Sequence, residues 1–320
     1  MADLGYVLAK IHGIHSKSVI GDTLTRYSKI DSIDKLEKAL FAGETAEAPT
    51  KQIYTRVEDR FRSKIISQIT DITDYLGTDN PLINAFLMRY EIENVKRIIR
   101  ANINGEKATT GLTELVIPKG LDYKLIAKTD LTSPSALRDI LTDTVFSFVT
   151  EKAQGKNTAE TDILLDKFYY TNLLKAAQTL PKQQQEVITD IITDEINLTN
   201  IIWVLRLTKY YNTDNDKIRS MIIETDKTIS ADILLEMVKT DTSAERRAVK
   251  KYQRIFGSQT ISNDTNITKA EQSADEYISR RYVKLFTQEY NILSVVAYIY
   301  IKMKEYSDIV RIVESLRYKA

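Results

Sequence analysis

Three stretches of this chain repeat one pattern: an acid, an amide or second acid three residues later, an apolar residue, then an apolar pair one turn on. The copies are Glu91-x-x-Asn94-Val95-x-x-Ile98-Ile99, Asp194-x-x-Asn197-Leu198-x-x-Ile201-Ile202 and Glu305-x-x-Asp308-Ile309-x-x-Ile312-Val313. They recur at roughly one-hundred-residue intervals and divide the chain into thirds, and repetition of this kind sets architecture before any other signal. On a helix, Val95, Ile98 and Ile99 share one apolar face. Glu91 and Asn94 stack along its border, where an amide can bond a loop or helix end of its own unit or meet a partner. The last third also holds a second register, because Gln288-x-x-Asn291-Ile292-x-x-Val295-Val296 fits the template without the leading acid. The copy at Glu305 is preferred because it keeps that acid.

The elements between the copies are expected to be helical. The chain has only 10 glycines and 5 prolines, and Gly257 is the one breaker of either type after Pro181. Strand-rich domains need turn residues at short intervals, so the fold class read from the sequence is all-α. Asn80-Pro81 and Ser133-Pro134 each offer an N-cap followed by proline at the first helical position. Thr242 and Glu245 have capping-box spacing. From Thr268 to Tyr318 no breaker appears, which predicts one very long helix or two with a polar break. Loops are expected over 42–50, 102–120, 153–157, 211–217 and 257–266, with 112–118 as the one strand-like segment. The division into lobes is then 1–105, 106–213 and 214–320.

Composition narrows the chemistry. Lys and Arg total 45 against 44 for Asp and Glu, so no global charge points to nucleic acid or a membrane surface. With no cysteine, disulfides, thiolate metal sites and thiol catalysis are excluded. The opening residues Met1 to Gly5 lack the basic and apolar regions of a signal peptide. The most apolar run, Ile292 to Ile301, is far short of the ~20 residues that span a bilayer. A soluble or membrane-peripheral protein is expected. His12 and His15 are the only imidazoles, and two ligands without a third make a poor metal site. No phosphate-loop, dinucleotide-turn or nucleophile-elbow spacing is present. No catalytic, cofactor or metal residues are therefore assigned, and a non-enzyme is expected.

The densest charge feature is Arg246, Arg247, Lys250, Lys251 and Arg254, opposed locally by Glu245 alone. Arg246, Lys250 and Arg254 fall at i, i+4 and i+8 and form one cationic stripe, a candidate partner interface. Cationic residues also accompany each repeat: Arg100 in the first, Arg206 in the second and Arg311 in the third.

Several longer segments resemble a known family. Leu198-Thr199-Asn200-Ile201-Ile202-Trp203-Val204-Leu205-Arg206, followed by Lys209-Tyr210-Tyr211, is similar to the middle repeat of the C subunit of the V/A-type rotary ATPases, known as the d subunit in eukaryotes. Ala297-Tyr298-Ile299, Lys302, Glu305, Asp308-Ile309 and Arg311-Ile312 through Tyr318 resemble its C-terminal repeat. Arg89-Tyr90-Glu91, Asn94-Val95-Lys96 and Ile98-Ile99-Arg100-Ala101 resemble its first. The likeness covers nearly the whole chain, with two departures: Asp308 replaces the expected asparagine, and Met303 stands where an acid is usual.

The resemblance implies a funnel of three pseudo-equivalent helical lobes with approximate three-fold pseudosymmetry. It also implies a non-catalytic rotor component without cofactors, on the cytoplasmic face of the membrane. Its partners would be the D and F shaft subunits and the membrane proteolipid ring, with nucleotide and ion sites on other subunits. An α-helical repeat adaptor for soluble proteins is the alternative, although a period near one hundred residues far exceeds the ~20–50 of solenoids.

Overall fold

The computed structural model describes residues 4–42, 53–77, 80–152, 158–239, 247–257, 261–262 and 264–319. These residues are all-α, with no strand among them. They fall into two compact units, Met1–Ala136 with Leu285–Ala320, and Leu137–Lys284. The first contains α1 (Leu4–His15), α2 (Gly21–Tyr27), α3 (Ile33–Leu40), α4 (Ile53–Leu76), α5 (Pro81–Ile103) and α6 (Tyr123–Lys128). The second contains most of α7 (Ala136–Leu141), then α8 (Phe148–Lys152), α9 (Thr158–Ala177), α10 (Lys182–Lys209), α11 (Asn215–Met221), α12 (Ala231–Lys239), α13 (Arg247–Ile255) and most of α14 (Ile267–Gln288). The C-terminal helix α15 (Ile292–Arg317) returns to the first unit. No described helix is long and apolar enough to cross a membrane.

The three repeats lie on α5, α10 and α15, helices of 23, 28 and 26 residues. In the first unit α15 packs against α1, α4 and α5. Every residue from Leu293 to Lys302 is buried, which explains the chain's most apolar run: a helix apolar all round belongs in a core. In the second unit α10 packs against α9 and α12, burying Ile188, Ile191, Ile192, Ile196, Ile201 and Val204.

Local signals set most helix ends. Asn80 caps α5 by accepting from the Ile83 amide at 3.1 Å, with Pro81 in the first turn. The breaker-free C-terminal stretch divides at a polar break, where Asn291 accepts from the Leu293 amide at 2.8 Å and opens α15. Asn291 is thus a cap at a helix start, so the second register of the repeat does not lie on one helix. Near Ser133-Pro134 the helix begins later, at Ala136, because Ser133 is held in turns: its carbonyl accepts from the Ala136 amide and its Oγ from the Ser135 amide. Thr242 and Glu245 of the expected capping box lie outside the described residues, as do 43–50 and 153–157 of the expected loops.

The strand expectation for 112–118 needs correction. Thr113, Leu115 and Ile117 are buried while Glu114, Val116 and Pro118 are exposed, the alternation of a strand. No strand among the described residues pairs with the segment. A side chain of α5 anchors its backbone instead, as described below. We predict that Asn291→Ala lowers stability by about 1 kcal/mol through loss of the α15 cap, read as a lower urea midpoint for the first unit with an unchanged helical spectrum.

Candidate functional site: the repeated acid and amide positions

Five of the six acid and amide members of the repeats are buried, and the sixth, Asp308, is only partly so. Glu91, Asn94, Asp194, Asn197 and Glu305 are all within 3% of complete burial. A buried polar group without a partner is costly, so each must find one inside the protein.

In the first repeat the partners come from the irregular chain between α5 and α6. Asn94 clasps one residue twice: its Nδ2 donates to the Thr113 carbonyl at 2.8 Å, and its Oδ1 accepts from the Thr113 amide at 2.9 Å. The same Nδ2 donates to the Tyr123 hydroxyl at 3.0 Å. Glu91 accepts from the Leu121 amide, 3.2 Å from Oε2, and the Tyr123 hydroxyl lies 3.5 Å from Oε1. The local sequence makes this approach possible. A Cβ on Gly120 would collide with both Glu91 carboxylate oxygens, and Asp122 caps α6 through the amides of Lys124 and Leu125, which places Tyr123 at the helix start.

The second repeat rebuilds the same triad from different parts of the chain. Asn197 donates to the Tyr252 hydroxyl at 2.8 Å, and that hydroxyl donates to Asp194 at 2.9 Å. Glu91–Asn94–Tyr123 and Asp194–Asn197–Tyr252 are therefore the same acid, amide and phenol arrangement. Asn197 Oδ1 also accepts from the Ile229 amide at 2.8 Å. One turn on, Asn200 clasps Ile223 as Asn94 clasps Thr113, with bonds of 2.8 and 3.0 Å. Asp194 further accepts from Lys251 at 2.6 Å, from Tyr277 at 2.7 Å and from Arg281. It ties α10 to α13 and α14.

The third repeat keeps the acid and loses the amide. Glu305 accepts from the Val19 amide and from buried Lys302, both at 2.8 Å. Asp308 pairs at short range with Lys304 and Arg311. A carboxylate has no N–H to donate to a backbone carbonyl, so the two-way clasp of Asn94 and Asn200 is closed to Asp308.

The two triads differ in charge. No cation among the described residues pairs with Glu91, and burial pushes its carboxyl up to about 8; the Leu121 and Ile117 amides and the Tyr123 hydroxyl act in the opposite direction. Burial, with the neighbouring acid second, also raises the Tyr123 and Tyr252 phenols, so both remain donors. Burial works against the Lys251 ammonium, but the Asp194 carboxylate holds its pKa above the ordinary lysine value.

Of the cationic candidates, Arg246 and the Arg247 side chain lie outside the described residues. Lys250 and Arg254 are exposed and form no ion pair among them. Lys251 is exposed too, but its ammonium is paired with buried Asp194. Among the repeat cations, Arg206 pairs with Glu271, and Arg100 and Arg311 are exposed. Sequence reasoning missed Tyr123, Tyr252, Tyr277, Arg281 and Gly120. Tyr123 and Tyr252 follow their asparagines by 29 and 55 residues, and unequal spacings hide the correspondence. His12 and His15 flank Phe286, with ring centroids 4.4 and 4.5 Å away. No group of acids and histidines able to hold a metal occurs among the described residues.

This geometry makes the first repeat sensitive to pH and to side-chain volume. Because the folded Glu91 titrates near 8 and the unfolded one near 4.5, its contribution is fully present below pH 4.5 and is lost as pH rises through 8. Urea unfolding should show stability falling across that window, and Glu91→Gln should remove this component of the slope. Gly120→Ala should destabilise the first unit by roughly 1–3 kcal/mol, seen as a lower thermal midpoint.

Comparison with known proteins bears on what these latches serve. Residues 9–320 match the family described as ATP synthase (C/AC39) subunit. The chain is 25% identical to the C subunit of the A-type ATP synthase of Methanosarcina barkeri over 204 residues, 63% of this chain and 56% of that protein. It is 22% identical to the C subunit of the A-type ATP synthase of Methanococcoides burtonii over 259 residues, 78% of this chain and 72% of that one. With the C subunit of the V-type sodium ATPase of Enterococcus hirae it shares 22% identity over 312 residues, 92% of this chain and 88% of that one. The chain thus spans little more than half the length of the first of these relatives. Because the family match extends over nearly all of its residues, the chain belongs to the ATP synthase (C/AC39) subunit family.

Proposed function

We propose that this protein is a non-catalytic component of the central stalk of a V/A-type rotary ATPase, a three-lobed socket that couples the D and F shaft to the membrane proteolipid ring. The family match over residues 9–320 carries this reading. The local geometry supports it: the repeat acids and amides are used in holding helices and loops together, as a part that transmits torque requires. Nucleotide hydrolysis or synthesis and ion translocation would belong to other subunits, with this one peripheral to the membrane.

The shaft contact is assigned to the exposed cations of α13, Lys250 and Arg254, members of the cationic cluster that the sequence opens with Arg246 and Arg247. Lys251 is the wrong residue for the test, because reversing it would face a second carboxylate toward Asp194. The Lys250→Glu, Arg254→Glu variant should keep the parent's thermal midpoint and bind purified D and F more weakly. Binding by the parent should fall steeply with salt, as contacts between exposed charges do. Failure of the parent to capture either D and F or the proteolipid ring at low salt would overturn the coupling role. Unchanged affinity in the variant would overturn the α13 assignment alone.

A further inference from the structure

The second unit contains a pocket of about 480 Å³ bordered by α8, α9 and α11. That volume is within the usual range for small-molecule sites. One face of α9 forms its floor: Glu160, Ile163, Leu164 and Lys167 fall at i, i+3, i+4 and i+7, polar at both ends and apolar between. Phe168 of α9 and Phe148 of α8 stand beside this face with ring centroids 4.6 Å apart, and Met221 of α11 completes the apolar wall. Phe168 is backed in turn by fully buried Phe146, 6.2 Å away between centroids, so the wall is continuous with the core.

Two polar ties fix the walls of the pocket. Lys217 of α11 pairs with Glu160 of α9 at 2.7 Å, and Lys167 of α9 donates to the Ser220 carbonyl of α11 at 2.8 Å. Glu160 and Lys167 are two helical turns apart, which sets the ties about 10 Å from each other along α9. The two helices are thus held at two levels, with the apolar part of the pocket between them. Apolar side chains that line an open pocket forgo the burial that a hydrocarbon ligand would supply.

The spacing and charge of the lining define the ligand. The apolar stretch between the ties fits a hydrocarbon body about 10 Å long. Two lysines against one carboxylate leave the lining with a net charge matched by one anionic head. The Glu160 carboxylate already answers Lys217, so the head belongs at the other end, on Lys167. An ammonium carries three donors, and the Ser220 carbonyl takes one of them. A second anionic end would meet Glu160, which favours a monoanion over a dianion. We propose that this pocket binds a medium-chain carboxylate, its head on Lys167 and its chain running over Leu164 and Met221 toward the Lys217–Glu160 pair. This inference is independent of the coupling role.

The test is calorimetric titration of the full chain with decanoate, with decanol and decyltrimethylammonium as controls, alongside thermal unfolding at rising ligand concentration. The parent should bind decanoate about tenfold more tightly than decanol through one charge-assisted bond, and the cationic amphiphile more weakly than either. Its thermal midpoint should rise with decanoate, as it does for any ligand held by the folded state alone. Lys167→Met keeps an apolar stem without the ammonium, so decanoate should fall to the affinity of decanol while decanol is unchanged. Leu164→Trp fills the pocket and should abolish binding of both. Leu164→Phe intrudes less and should weaken both by a smaller factor, which keeps the test valid if the tryptophan variant does not fold. Absence of decanoate binding, or binding that both Leu164 variants leave unchanged, overturns the site. Decanol binding as tightly as decanoate, or an unchanged decanoate affinity in Lys167→Met, overturns the carboxylate assignment.

Discussion

The structure depends on amide side chains that satisfy a remote backbone from within a buried helix. Asn94 and Asn200 each give an N–H and accept one, replacing for a single residue the partner strand that Thr113 and Ile223 lack. This lets irregular chain cross the core with its backbone hydrogen-bonded. The connections after α5 and between α11 and α12 are thereby fixed to α5 and α10. Without the clasp, the Thr113 and Ile223 amides and the Ile223 carbonyl would lose the partners that satisfy them.

Around the clasps the two units solve one electrostatic problem in opposite ways. Glu91 is buried away from any cation of the described residues and keeps its proton to a pH near 8, so its triad is neutral under most conditions. Asp194 is as buried but meets Lys251 and Arg281, which makes its triad an ionic junction of three helices. Neutral burial confers a pH dependence. Ionic burial makes the site intolerant of losing one partner, because the remaining charge would be stranded. Glu305, paired to Lys302 and holding the Val19 amide, is closer to the second solution.

Much of this was legible in the chain. Scarce breakers and the apolar face of the repeats gave the helical class, and Asn80 and Asn291 mark helix starts by chemistry visible within four residues. The repeat itself located three of the long helices. The strand-like pattern of 112–118 was real as alternation but misleading as secondary structure, because period-two burial needs only an extended chain against a core. The pairing of Lys251 with Asp194 was invisible for another reason. Five cations in nine residues look alike until Asp194 approaches one of them from α10.

By itself the sequence determined that this protein is helical, that it is triplicated in its long central helices, and which polar residues border their apolar faces. Those features follow from local propensity and periodicity, which act over a few turns of one helix. Only the tertiary structure decided what the border residues hold and which of two buried acids is neutral. These depend on distances between residues far apart in the chain: Asn94 with Tyr123, Asn197 with Tyr252, and Val19 with Glu305. Pairings of that kind are set by packing, and their spacing differs from one repeat to the next.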